Sequence, residues 1–69
     1  MAYAFTIKEP RKPGLAYEVH VRKGGDQGKV LATRCAPTLT DAYDRRRDLM
    51  TKAMAAGLDF ERQLQAGEI

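Results

Sequence analysis

The chain has 69 residues, twelve Lys/Arg against nine Asp/Glu, one histidine and one cysteine. That length suits one domain, 1–69, at a size where a lone core is marginal and homodimerisation is a common remedy. A single cysteine excludes an internal disulfide, MAYAFTIKEP lacks the basic start and apolar core of an export signal, and no apolar run approaches the roughly 18 residues of a membrane span. The expectation is a cytoplasmic protein with no membrane segment.

The formal charge of +3 is unevenly spread. Residues 1–35 hold seven Lys/Arg and three Asp/Glu, whereas residues 36–69 hold five and six. A basic amino-terminal half favours acidic partners such as nucleic acid or an acidic protein.

In chain order, Tyr3, Phe5 and Ile7 alternate with Ala4, Thr6 and Lys8, the period of a half-buried strand over about 2–8. Pro10, Pro13 and Gly14 then break the ladder in a loop made basic by Arg11 and Lys12. A second strand over about 16–23 turns Tyr17, Val19 and Val21 inward and Glu18, His20 and Arg22 outward. GGDQG reads as a hairpin loop, since it lacks the lysine, hydroxyl and helix entry of a phosphate-binding loop. For the third strand, about 29–35, placing Leu31, Thr33 and Cys35 inward keeps Arg34 out of the core and avoids burying an unpaired charge.

LTDAYDRRRDLMTKAMAAG then carries apolar residues at helical spacing, Leu39, Ala42, Tyr43, Leu49, Met50, Ala53 and Met54. A helix over about 39–56 follows, started by Thr38 or Thr40 as N-cap and stopped by a left-handed Gly57. Asp59 is placed to cap a short helix over about 60–66, whose Phe60 and Leu64 fold back on the core. The expected architecture is α+β: a three-stranded antiparallel sheet, the long helix across one face and a short C-terminal helical turn.

No catalytic, metal or cofactor constellation emerges. His20 stands alone without a partner nucleophile or second ligand, and Cys35 reads as a small core residue. Arg45, Arg46 and Arg47 form the densest cation run, yet Asp41–Arg45, Asp44–Arg47 and Asp48–Lys52 are spaced as helical ion pairs that would neutralise it. The residues left for binding are the open sheet face and its loops: Lys8, Arg11, Lys12, His20, Arg22, Lys23, Lys29 and Arg34. Outward Arg, Lys and Thr on a ribbon can meet phosphates and base edges in a major groove.

The segment YEVHVRKGGDQGKVLATRCAPTLTDAYDRRRDLM resembles the amino-terminal arm-binding domain of phage and transposon tyrosine integrases. The shared pattern is two basic strands, a glycine hairpin and a Thr-x-x-x-Ala helix start. That resemblance implies a three-stranded sheet followed by a helix, with the sheet on DNA and Arg22, Lys23, Lys29 and Arg34 as contacts. The leading expectation is thus a small non-enzymatic phage or mobile-element accessory protein that binds nucleic acid, DNA above all, through a basic sheet face.

The alternative is a protein-interaction inhibitor or adaptor of the anti-CRISPR type, which occludes an acidic or nucleic-acid-handling protein complex. Its interface would be Asp41, Asp44, Arg45, Asp48 and Lys52 on the helix, or Phe60 and Arg62 in the tail. A homodimer pairing edge strands, or burying Phe60 and Leu64 across a two-fold axis, is a third reading.

Overall fold

The computed structural model describes residues 3–69. Strands β1 (Tyr3–Lys8), β2 (Tyr17–Lys23) and β3 (Lys29–Ala36) lead into helix α1 (Leu39–Ala56), a 3₁₀ turn (Gly57–Asp59) and helix α2 (Phe60–Gln65). The strands form one antiparallel sheet in the order β1-β2-β3, so the expected α+β architecture is the observed one. Ala2, the expected first strand residue, lies outside the described residues.

Alternation in β1 and β2 puts Phe5 opposite Val21 and Ile7 opposite Val19, and these four face the helix. Val19 and Val21, on the central strand, are fully buried. The hairpin loop turns through Gly24 and Gly25, both at positive φ (92° and 95°) that side chains rarely tolerate. Gly28 sits so close to the Lys23 carbonyl that a Cβ there would be 1.9 Å from its oxygen, which explains a glycine at a position of ordinary φ.

The expected parity of β3 is overturned by a bulge. Lys23 pairs with Lys29 and Arg22 with Val30, but Val21 then pairs with Ala32, leaving Leu31 without a cross-strand partner. An extra residue on one strand inverts every side chain beyond it. Ala32, Arg34 and Ala36 therefore face the helix, while Thr33 and Cys35 are exposed on the open face. Leu31 alone keeps its expected contact with the core.

Arg34 is tolerated on the helix side because its charge is met there. Its Nη2 donates to the carbonyls of Leu64 (2.9 Å) and Ile69 (2.8 Å), and Nε donates to Ile69 as well (3.1 Å). Those oxygens lie at and just beyond the C-terminal end of α2, where helix carbonyls lack partners and a cation is favoured.

Helix α1 opens at Thr38, whose Oγ1 accepts from the Asp41 amide (3.1 Å), and closes where the Gly57 amide donates to the Ala53 carbonyl. Gly57 has the expected positive φ (58°), but its ψ of −125° is not that of a left-handed helical cap. Ala42 and Leu49 are buried against the sheet, with Ala53 and Ala56 beside them.

Helix α2 crosses the core from β1 to β3. Phe60, fully buried, meets Tyr3 edge-on at 5.1 Å and Phe5 at 6.2 Å between ring centroids. Glu61 accepts from the Tyr3 hydroxyl (2.9 Å) and pairs with Lys23 (3.0 Å), and Leu64 is buried.

Asp59 does not cap α2 as expected. Its carboxylate instead accepts from the Arg62 and Gln63 side chains at 2.6 to 2.9 Å, with no bond to a backbone amide. The Arg62 hydrogen bonds, then that of Gln63, hold the Asp59 carboxyl at about 2, below its ordinary 3.8. Glu61 is lowered chiefly by Lys23 and then by Tyr3, and Glu18 chiefly by His20.

A carboxylate with a depressed folded pKa stabilises above its unfolded value and loses that contribution as pH falls through the folded one. Stability from Asp59 should therefore be present above its ordinary 3.8 and be lost as pH falls through about 2, and that from Glu61 and Glu18 should begin to fade as pH falls below their ordinary 4.5. Titration of Arg62→Gln by carbonyl NMR should raise the Asp59 midpoint from about 2 toward its ordinary value, with the Gln63 hydrogen bond still holding it somewhat below. An unmoved midpoint would refute Arg62 as the cause.

Candidate binding surface

The cross-strand register maps the open sheet face as three rows. Lys8, Glu18 and Cys35 form one, Thr6, His20 and Thr33 the next, and Ala4, Arg22 and Val30 the third. His20 Nε2 lies 3.0 Å from Glu18 Oε1, and Arg22 Nη1 donates to the Gly28 carbonyl (3.0 Å). Of the cations expected here, Arg34 faces α2, and Lys23 turns to the helix side and pairs with Glu61.

Lys29, opposite Lys23, shares that side and is exposed. Lys8, Arg11 and Lys12 are exposed at the far end of the sheet, where Lys8, Arg11 and Glu18 contribute to a shallow cleft of about 200 Å³. The basic residues thus fall into two groups at opposite ends of the strands, separated by the row of Thr6, His20 and Thr33. They do not form one continuous stripe.

The helix departs from expectation in the opposite direction. Of the three ion pairs anticipated along α1, only Asp48–Lys52 forms (3.1 Å). Among the described residues Arg45, Arg46 and Arg47 make no carboxylate contact. Arg46 lies 5.1 Å above the ring of Tyr43, a cation–π arrangement. Arg45 instead lines a polar cleft with Arg34, Lys52 and Glu68 beside the C-terminal segment. Asp41 and Asp44 stay exposed, Arg62 is engaged by Asp59 and Glu68, and Phe60, offered above as an interface residue, is core.

The seven apolar residues of α1 are not one buried face. Ala42, Leu49 and Ala53 face the sheet, whereas Tyr43 (47% exposed), Met50 (45%) and Met54 (87%) lie on the flank toward β1, joined past the helix end by Leu58 (88%). A three-stranded sheet is too narrow to cover the whole stripe. Between this flank and β1 runs an apolar groove of about 430 Å³ lined by Tyr3, Phe5, Met50, Ala53, Met54, Gly57 and Leu58. A second depression of about 410 Å³ continues it along the helix through Tyr43, Arg46, Arg47 and Thr51.

No protein-family model, curated protein or solved structure matches the chain.

Sequence reasoning missed Met50, Met54 and Leu58 as surface residues, and Arg45 and Arg47 as cations without the aspartate partners expected for them. One signal was available. Tyr43, Met50 and Met54 stand about one residue step, roughly 100°, around the helix from Ala42, Leu49 and Ala53, so the stripe was wide enough to serve two surfaces. Among the described residues, no helix is long and apolar enough to cross a membrane.

Proposed function

We propose that this chain is a small non-enzymatic binding domain, of the accessory kind that phages and mobile elements encode, and that its partner is a protein. The supporting observation is the exposed run of Tyr43, Met50, Met54 and Leu58 on one flank of α1, beside arginines with no carboxylate of their own. Contiguous apolar surface on a small domain marks interaction sites. Methionine adapts to irregular partners, and arginine and tyrosine are over-represented where interfaces concentrate their energy. Such a domain would act by occupying a surface of a larger, nucleic-acid-handling assembly.

Met54→Glu, and separately Arg46→Glu with Arg47→Glu, should abolish co-purification of a host protein in a nuclease-treated lysate. Arg22→Glu with Lys8→Glu should leave it unchanged. Capture that nuclease removes, and that only the sheet variants weaken, would overturn the reading.

Direct nucleic-acid binding is the second reading. It is supported by the resemblance to integrase arm-binding domains and by Lys8, Arg11, Lys12 and Lys29, which have no ion-pair partner among the described residues. Affinity for duplex DNA would then fall steadily with added salt, as counterion release requires.

A further inference from the structure

The groove beside α1 has a second property: one of its walls is the edge of a sheet. Strand β1 pairs with β2 alone among the described residues, so the backbone donors and acceptors along its other side have no strand partner. Tyr3 and Phe5, two residues apart on that strand, turn their side chains toward α1 and line the groove. A strand laid along β1 would place alternate side chains in the same layer as Tyr3 and Phe5, against Met50, Met54 and Leu58.

We infer that the groove takes an extended acidic–apolar segment of a partner protein, which adds to the sheet as a fourth strand along β1. This rests on reading the α1 flank as a protein-binding surface, and it specifies what fills it. Backbone hydrogen bonds to the edge would supply affinity, and the pockets for alternate side chains would supply selectivity.

Charge identifies the occupant. Arg46 and Arg47 lie one helical turn before Met50, on the continuation of the groove, and neither has a carboxylate partner among the described residues. A carboxylate next to the apolar positions of an incoming strand would meet those guanidiniums, which suit it geometrically. A second copy of this chain is a poorer occupant. Its own β1 offers Tyr3, Phe5 and Ile7 on the helix side with no acidic residue, and it would bring another Arg46–Arg47 pair toward the first.

The test uses the whole chain and a short fluorescent peptide in which threonine alternates with glutamate, valine, leucine and a final glutamate. Saturable binding, seen by anisotropy with amide NMR shifts concentrated in β1 and α1, is the expected result. Met54→Glu, and Arg46→Glu with Arg47→Glu, should each weaken it roughly tenfold or more. Methylating the peptide's backbone nitrogens should do the same, since strand addition needs those donors; Met54 and both arginines are on the surface, so the variants remain folded.

An N-methylated peptide that binds equally well would overturn strand addition while leaving the groove as a protein site. Self-association that Met54→Glu abolishes, with no peptide binding, would make a second copy the occupant. If the peptide does not bind although the lysate partner is still captured through Met54, this inference fails alone. If neither binds, the protein-binding reading fails with it.

Discussion

Replacing Phe60 with alanine is expected to remove about 3 to 5 kcal/mol of stability, as deleting a buried aromatic ring does. A 69-residue domain has roughly 3 to 10 kcal/mol in all, so the variant should lose between about a third and all of its stability. The position explains the size of the effect. Phe60 is the largest fully buried side chain, and it ties α2 to β1 through Tyr3 and Phe5. Without it the two aromatic side chains lose their cover and α2, six residues long, has too little helix propensity to persist. Phe60→Leu, which fills most of the volume, should cost clearly less. Urea denaturation followed by far-UV circular dichroism would measure both. An alanine variant as stable as the parent would mean that α2 is not docked as described.

Arg34→Met is expected to cost about 1.5 to 3 kcal/mol, the range for hydrogen bonds to a charged group. Methionine keeps the length of the apolar stem, so the loss isolates the guanidinium. The Ile69 carbonyl would lose its side-chain donor, the Leu64 carbonyl would keep only backbone donors, and the end of α2 would lose the cation that offsets its dipole. Hydrogen exchange should therefore accelerate in α2 and in residues 66–69 while β1 and β2 stay protected. Uniform acceleration across the sheet would contradict this role. The same variant bears on function: if Arg34 contacted a nucleic acid from the open sheet face, Arg34→Met would lower affinity without loosening α2.

These two residues also mark how far sequence reasoning reached. Phe60 and Leu64 were legible as apolar residues three to four apart after a glycine stop, and their docking on the core followed. Arg34 was misread for a specific reason. Keeping a charge out of the core is sound when the charge has no partner, but its partners are carbonyls 30 and 35 residues away in sequence. No local pattern announces them. Nor does GKVLATRC announce that Leu31 bulges, and the whole inward set beyond it depends on that one residue.

The candidate site shows the same division. Cations at Lys8, Arg11, Lys12, Arg22 and Lys29 could be named from the chain, and so could the arginine triplet of α1. Whether each was free or paired could not. Helical spacing made Asp41–Arg45 and Asp44–Arg47 reasonable pairs, yet exposed pairs of this kind are worth only a few tenths of a kcal/mol. Surroundings elsewhere readily displace them, as where Arg45 lines the cleft beside the C-terminal segment.

Sequence alone determined the element order, the strand and helix extents to within a residue, the facing of β1 and β2, and a helix start at Thr38 or Thr40 with a stop at Gly57. Each of these follows from interactions between residues close along the chain, where a period of two or of about 3.6 leaves a readable trace. Tertiary structure alone decided the parity of β3 beyond Leu31, the docking of Arg34 on the end of α2, and which half of the α1 stripe is covered. Those outcomes depend on areas and partners brought together from distant segments: the width of a three-stranded sheet, and carbonyls at the end of another helix. The exposed flank of Tyr43, Met50 and Met54 beside an open strand edge is a product of that second kind, and the proposed function stands on it.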